Sequence, residues 1–210
     1  MKKVLVSCGA AATGKTALAV KCAKALDSEV VSADSQLIYR GLNIGTAKPT
    51  AEEMDGVIHH MIDIVDPQSS FSVSDYREHA LPVVDGLINK GKVPVICGGT
   101  GFYINSLLFD YSYGAAQGDE QIRAKYNKIA EERGKEYLFK LLEEADEPSS
   151  RKIHPNDTKR VIRALDIFEL SGKRKSDVND GQTPRYSYAA VAIDFPREEL
   201  YARIDQRVDE

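Results

Sequence analysis

Residues 9–16 read "GAAATGKT", between the apolar run "VLVS" and a stretch with helical spacing of its apolar residues. Strand, G-x-x-x-x-G-K-T loop and helix in that order make a phosphate cradle. The glycines let backbone N–H groups turn inward around an oxyanion, the helix N-terminus adds positive potential, and the lysine adds a point charge. Gly9, Ala10, Ala11, Ala12, Thr13, Gly14, Lys15 and Thr16 are therefore the candidate phosphate- or nucleotide-binding residues, with the Thr16 hydroxyl placed to meet a magnesium ion. The same loop restricts the fold, because it belongs at the carboxyl edge of a parallel sheet covered by helices.

The rest of the N-terminal half continues that β/α rhythm. "SEVVSAD" reads as a second strand and "KVPVICGG" as a buried one. "VSDYREHALPVVDGLINKG" is predicted to be a long helix ended by Gly91, with Pro82 expected to kink it. Near residue 112 the texture changes. "DEQIRAKYNKIAEERG", "KEYLFKLLEEAD" and "HPNDTKRVIRALDIFELSGK" read as charged helices, the last capped by Asn156 or Asp157 and stopped by Gly172. "KRKSDVNDGQTP" reads as a flexible linker. "SYAAVAIDF" returns to strand and "PREELYARIDQRVDE" to helix. The expected fold is thus α/β, a parallel core of residues 1–112 and 187–210 interrupted by an all-helical insertion over 113–186.

Composition excludes several classes. A net charge of −4 over 210 residues argues against wholesale wrapping of nucleic acid, though not against a local basic face. Cys8, Cys22 and Cys97 are too scattered for a disulfide framework or zinc cluster and suit a reducing compartment. No apolar run approaches the ~20 residues of a membrane span, and no signal peptide precedes the loop. A cytoplasmic protein without a membrane partner is expected.

A nucleotide hydrolase ordinarily ends a buried strand in a metal-holding aspartate. "KVPVICGGTG" ends instead in Cys97, Gly98, Gly99 and Thr100. The carboxylate lies at the end of strand two, as Asp34, on the sheet edge where the loop also sits, so Asp34 is a candidate general base. "IGTAKP" taken alone suggests a turn with a solvated Lys48. His59 and His60 are neighbours on an extended segment and face opposite ways, which favours packing or hydrogen bonding over shared metal ligation. On the third insertion helix, Lys159, Arg160 and Arg163 can share a face. Residues 151–175 hold eight Lys/Arg against three Asp/Glu, an excess of +5 in an acidic chain. Combined with a catalytic cleft, that excess points to a phosphodiester partner.

Together "GAAATGKT", "SADSQLIYRGLNIGTAKP", "HHMIDIVDP", "FSVSDYREHA", "GGTGFYI", "HPNDTKRVIRALDIFELSGK" and "LYARIDQR" make the sequence resemble the tRNA dimethylallyltransferase (isopentenyltransferase) family. The resemblance implies a P-loop NTPase-like core whose loop holds the diphosphate of dimethylallyl diphosphate. It implies transfer of the dimethylallyl group to N6 of the adenosine 3′-adjacent to the tRNA anticodon, with that base flipped into the cleft. Carried over by position, Asp34 is the base and Arg203 the arginine near the diphosphate. Asp34, Ser35, Gln36 and Leu37 match one tRNA-contacting segment, and Lys159, Arg160, Val161, Ile162 and Arg163 another. Thr100 and Arg123 fall at further tRNA positions. Mg2+ would bridge Thr16 and the diphosphate, and the implied partners are the anticodon stem–loop and the allylic donor, with the enzyme a monomer. The loop departs from the family's Gly-Pro-Thr beginning by carrying Ala10 and Ala11, which removes a hydroxyl near the substrate. Family members also continue past Arg207 with a part that helps to hold the tRNA. Two other readings compete: an adenylate isopentenyltransferase acting on free nucleotide, and a P-loop small-molecule kinase with Asp34 activating an acceptor hydroxyl.

Overall fold

A computed structural model describes residues 2–111, 118–177 and 180–209. Contacts divide the chain into two compact units, Met1–Asp110 with Thr183–Glu210, and Tyr111–Gln182. The first is built on a five-stranded sheet of β1 (Lys3–Gly9), β2 (Val30–Ser32), β3 (His59–His60), β4 (Val95–Gly98) and β7 (Ser187–Ile193), in the order β3-β2-β4-β1-β7. Every pairing is parallel. β1 and β4 each run apolar on both faces, as parallel strands covered on both sides must.

Helices supply that cover. Val4, Val6, Val31 and Ile96 pack with Tyr76, Ala80, Val84 and Leu87 of α3 (Val73–Asn89) and with Tyr103, Ile104 and Leu107 of α4 (Gly101–Leu108). On the opposite face Val30, Val95 and Cys97 meet Ala19 and Ala23 of α1 (Lys15–Ala25), and the single-turn α2 (Ala51–Met54) lies between β2 and β3 in the chain. α3 keeps one buried stripe through Tyr76, Ala80, Val84 and Leu87 and starts at a capping box between Ser72 and Asp75. It runs through Pro82 as a single helix, since the apolar stripe on both sides of the proline is held by the sheet.

The second unit carries α5 (Glu120–Arg133), α6 (Lys135–Ala145), α7 (Glu147–Ser150) and α8 (Thr158–Ser171). Its core joins Leu138 and Leu142 to Ile153, Val161, Ile162, Ala164 and Leu165. Asp157 caps α8 by accepting from the Arg160 N–H, and Gly172 ends it in the left-handed region. Fully buried Asp146 accepts from the backbone and hydroxyl of Ser176 at 3.0 and 2.6 Å, so part of the supposed linker is tied down.

Two expectations need correction. The segment from 113 to 186 is not wholly helical, because β6 (Asp180–Pro184) pairs with β5 (Phe109–Tyr111) in a two-stranded sheet. "DGQTP" has turn-forming composition, so only pairing makes it a strand. The chain also rejoins the first unit at Thr183 rather than 187. Tyr186 is 3% exposed within that unit's core, and the Arg185 N–H donates to the Leu108 carbonyl at 2.7 Å. The expected boundary at 112/113 lies outside the described residues. Among the described residues no helix is long and apolar enough to cross a membrane.

Candidate active site

β1 delivers the chain to the loop and α1 leaves it, with Gly14 as N-cap at φ 85°. That left-handed backbone is open to glycine without strain, which is why the loop closes there. Thr13 Oγ1 donates to the Ala10 carbonyl at 2.9 Å, and Lys15 Nζ reaches back to the same oxygen. Arg203, on α9 (Arg197–Asp209), donates from Nε to the Ala12 carbonyl at 3.1 Å and lies 4.4 Å over the Phe195 ring. The expected C-terminal arginine is therefore held against the phosphate loop.

Asp34 follows β2. Its Oδ1 accepts from the N–H groups of Gln36 at 2.8 Å and Leu37 at 3.4 Å, so the carboxylate organises the segment after it. Thr100 joins the same corner, its Oγ1 accepting from the Ser35 N–H at 3.0 Å. This meeting of the β2 and β4 ends needs Gly98, where an added Cβ would sit 2.1 Å from the Ala33 carbonyl oxygen.

Loop, carboxylate and strand ends enclose a cavity of about 110 Å³ lined by Lys15, Thr16, Ser32, Asp34, Thr46 and His59, among others. Burial holds the Lys15 ammonium below its ordinary pKa. The buried Cys97 thiol is pushed up to about 11 and is uncharged at neutral pH. Asp34 is thus the anion that supports the lysine's charge. A cation and a carboxylate face one small cavity, an arrangement able to hold an anionic leaving group and accept a proton.

Lys48 is not solvated. Its side chain is 6% exposed, and Nζ donates to the Tyr39 carbonyl at 2.8 Å and pairs with Asp63. This buried cation fastens the "IGTAKP" turn, whose Thr46, Ala47 and Pro49 line the cavity. Arg207 lines it too and donates to the Ala47 carbonyl at 3.0 Å. Residue-by-residue reading missed the parts played by Lys48 and Arg207; the signal available was their place inside "IGTAKP" and "LYARIDQR". His60 and His59 face opposite ways as expected: His60 Nε2 lies 2.6 Å from Glu29 Oε2, whereas His59 lines the cavity.

In the second unit Lys159 and Arg160 are exposed, while Val161 and Ile162 are 1% and 5% exposed. The side chains of Val161 and Ile162 are core, set by the apolar stripe of α8, and cannot present a surface to RNA. Arg123 and Arg163 converge on Asp166, which is fully buried and accepts from Arg123 Nε at 3.2 Å and Arg163 Nη1 at 2.8 Å. Asp166 also accepts from the Asp119 N–H at 3.2 Å, joining the start of α5 to α8. Two of the candidate RNA-contacting arginines are thereby oriented by one carboxylate.

Residues 37–210 match the family model described as IPP transferase. Over 210 residues the chain is 46% identical to a tRNA dimethylallyltransferase of Bacillus cytotoxicus, covering 99% of this chain and 66% of that protein. A tRNA dimethylallyltransferase of Bacillus anthracis is likewise 46% identical, with 67% of its length covered. The chain spans about two thirds of these curated relatives. Among solved structures, the full-length tRNA isopentenylpyrophosphate transferase of Bacillus halodurans superposes with a TM-score of 0.65 at 39% identity, over 100% of this chain and 65% of that one. A eukaryotic dimethylallyltransferase acting on tRNA superposes with a TM-score of 0.85 at 28% identity, over 100% and 52% of the two chains.

Proposed function

Because the chain belongs to the IPP transferase family, we propose that it transfers a dimethylallyl group from dimethylallyl diphosphate to N6 of the adenosine 3′-adjacent to a tRNA anticodon. The observation that carries the proposal is the cavity where the phosphate loop's Lys15 and Thr16 face the Asp34 carboxylate. β4, by contrast, ends in Cys97 and Gly98 with no carboxylate for a hydrolytic metal.

In this reading Lys15, the loop N–H groups and Arg203 hold the diphosphate, and their charge matters most as the leaving group departs. The N6 lone pair attacks the allylic C1, the C1–O bond breaks, diphosphate leaves, and an N6 proton passes to Asp34. The Asx turn that Asp34 makes with Gln36 and Leu37 fixes the carboxylate's direction before substrate arrives. Ser35, Gln36, Leu37 and Thr100 stand beside it as the RNA-facing rim, and Lys159, Arg160, Arg163 and Arg123 take phosphates of the anticodon stem–loop. Hard oxygen donors suit magnesium. The Thr16 hydroxyl lines the cavity with Asp34 nearby in it, and among the described residues no cluster of three His, Cys, Asp or Glu offers another metal site. Thr16 and the diphosphate oxygens would hold Mg2+, which would neutralise leaving-group charge. The enzyme works as a cytoplasmic monomer.

The test is incubation with isotopically labelled dimethylallyl diphosphate and an unmodified anticodon stem–loop. Label transferred to RNA supports the proposal; label retained in the donor, or phosphate transfer from ATP to a small acceptor, defeats it.

A further inference from the structure

Ser32 Oγ and His59 Nε2 are buried polar atoms without a hydrogen-bond partner among the described residues, and both residues line the active-site cavity. Parallel register puts them together. Val30 lies opposite His59, Ser32 stands two residues beyond Val30 on the same face, and Cys97 lies opposite Ser32. Ser32 is 3% exposed, so its hydroxyl has little recourse to bulk water. Orphaned buried polar groups are uncommon, and they mark places where something else completes the hydrogen bond.

The chemistry of that missing group can be read from the wall. His59 Nδ1 lies 2.9 Å from the Val57 carbonyl oxygen, which can only accept, so Nδ1 carries the ring proton. Burial lowers the imidazole's pKa and keeps the ring neutral at neutral pH. Nε2 is therefore a lone-pair acceptor on one residue of the cavity wall, and Ser32, on the same wall, carries a hydroxyl able to donate. The complement donates at one atom and accepts at the next. Diphosphate is all acceptor and would meet the Nε2 lone pair repulsively, and a dimethylallyl group has no hydrogen-bonding atom. The amine–imine edge of adenine fits both.

We propose that Ser32 and His59 form a base-reading subsite, in which one adenine N6–H donates to His59 Nε2 and the Ser32 hydroxyl donates to an adjoining ring nitrogen. The amine's other hydrogen is the one lost to Asp34, so reading and proton removal use different N6–H bonds. The product, a secondary amine, keeps the bond to His59. A 6-oxopurine presents an acceptor where the amine was and opposes the Nε2 lone pair. The Ser32 hydroxyl rotates to donate or accept and tolerates both bases. His59 is thus the discriminating residue and Ser32 an affinity residue. This rests on the reading of the cavity as a prenyl-transfer site for adenosine.

The experiment measures binding of anticodon stem–loops carrying adenosine or inosine at the target position to wild type, His59→Gln, His59→Phe and Ser32→Ala, with circular dichroism confirming folding. Wild type is expected to prefer adenosine by roughly tenfold, the scale set by one mismatched buried hydrogen bond. His59→Gln should bring the ratio near one by tightening inosine, because a rotated amide donates to the 6-oxygen. His59→Phe should reach a similar ratio by weakening adenosine, and Ser32→Ala should weaken both RNAs alike. An unchanged preference in both folded His59 variants overturns the subsite and leaves prenyl transfer standing. Failure of wild type to transfer label to the adenosine stem–loop overturns the function and the subsite together.

Discussion

Replacing Asp34 with asparagine should remove a proton acceptor while sparing the local backbone. Asp34 Oδ1 accepts from the Gln36 N–H at 2.8 Å and more weakly from the Leu37 N–H at 3.4 Å, and an amide oxygen can accept both. The segment 34–37 should therefore keep its shape in Asp34→Asn. The amide cannot take the N6 proton. An exocyclic adenine amine is a poor nucleophile, because its lone pair is delocalised into the ring. Removing a positioned base typically costs about 10²–10⁴ in rate, or roughly 3–5 kcal/mol of barrier. Asp34→Ala adds loss of the turn, worth about 1 kcal/mol since one of its two bonds is long and the site is partly exposed. Single-turnover transfer of labelled donor, stem–loop binding and urea unfolding together separate these effects. Both variants should be slowed by a similar factor, with the alanine variant alone losing stability and some RNA affinity. Near-normal turnover in Asp34→Asn would refute the general-base role. Loss of RNA affinity in the asparagine variant would make Asp34 a positioning residue instead.

Lys15→Ala should raise KM for dimethylallyl diphosphate and slow transfer with stem–loop affinity nearly unchanged; steady-state kinetics that match wild type would exclude a phosphate role. Alanine at Lys159, Arg160 and Arg163 together should weaken RNA binding and flatten its salt dependence, since fewer counterions are released; filter binding across a salt series reads the slope, and an unaltered one makes this face merely solvated. Gly98→Ala should destabilise the first unit by at least ~1–3 kcal/mol in urea unfolding, because the new methyl meets backbone that cannot swing aside. Glu29 is held below the ordinary carboxylate pKa chiefly by its hydrogen bond with His60, with Lys92 assisting. Its folded value lies below its unfolded one, so its contribution is present above pH 4.5 and fades as pH falls below that. Glu29→Gln should thus be less stable than wild type at neutral pH, with the gap closing in acid; a gap that persists there would show a loss unrelated to titration.

Local sequence was enough for what depends on chain neighbours. The glycine spacing and flanking periodicities of "VLVSCGAAATGKT" specify strand, cradle and helix without distant partners, because a phosphate loop is made from consecutive backbone N–H groups. Asp157 and Gly172 likewise mark the ends of α8 through contacts within one turn. The end of the second strand marked Asp34, and the wider likeness to the family supplied Thr100 and Arg203 by position. Tertiary structure decided what pairs across the chain. Lys48 reads as a surface lysine until Tyr39 and Asp63 surround it. "DGQTP" reads as linker until β5 offers it hydrogen bonds. Arg123 and Arg163 share Asp166 only because α5 and α8 pack together. Ser32 and His59 are unremarkable residues in their own segments. Parallel register alone sets them on one face of the cavity, where the lack of a partner among the described residues turns two ordinary polar side chains into a candidate reading head for a base.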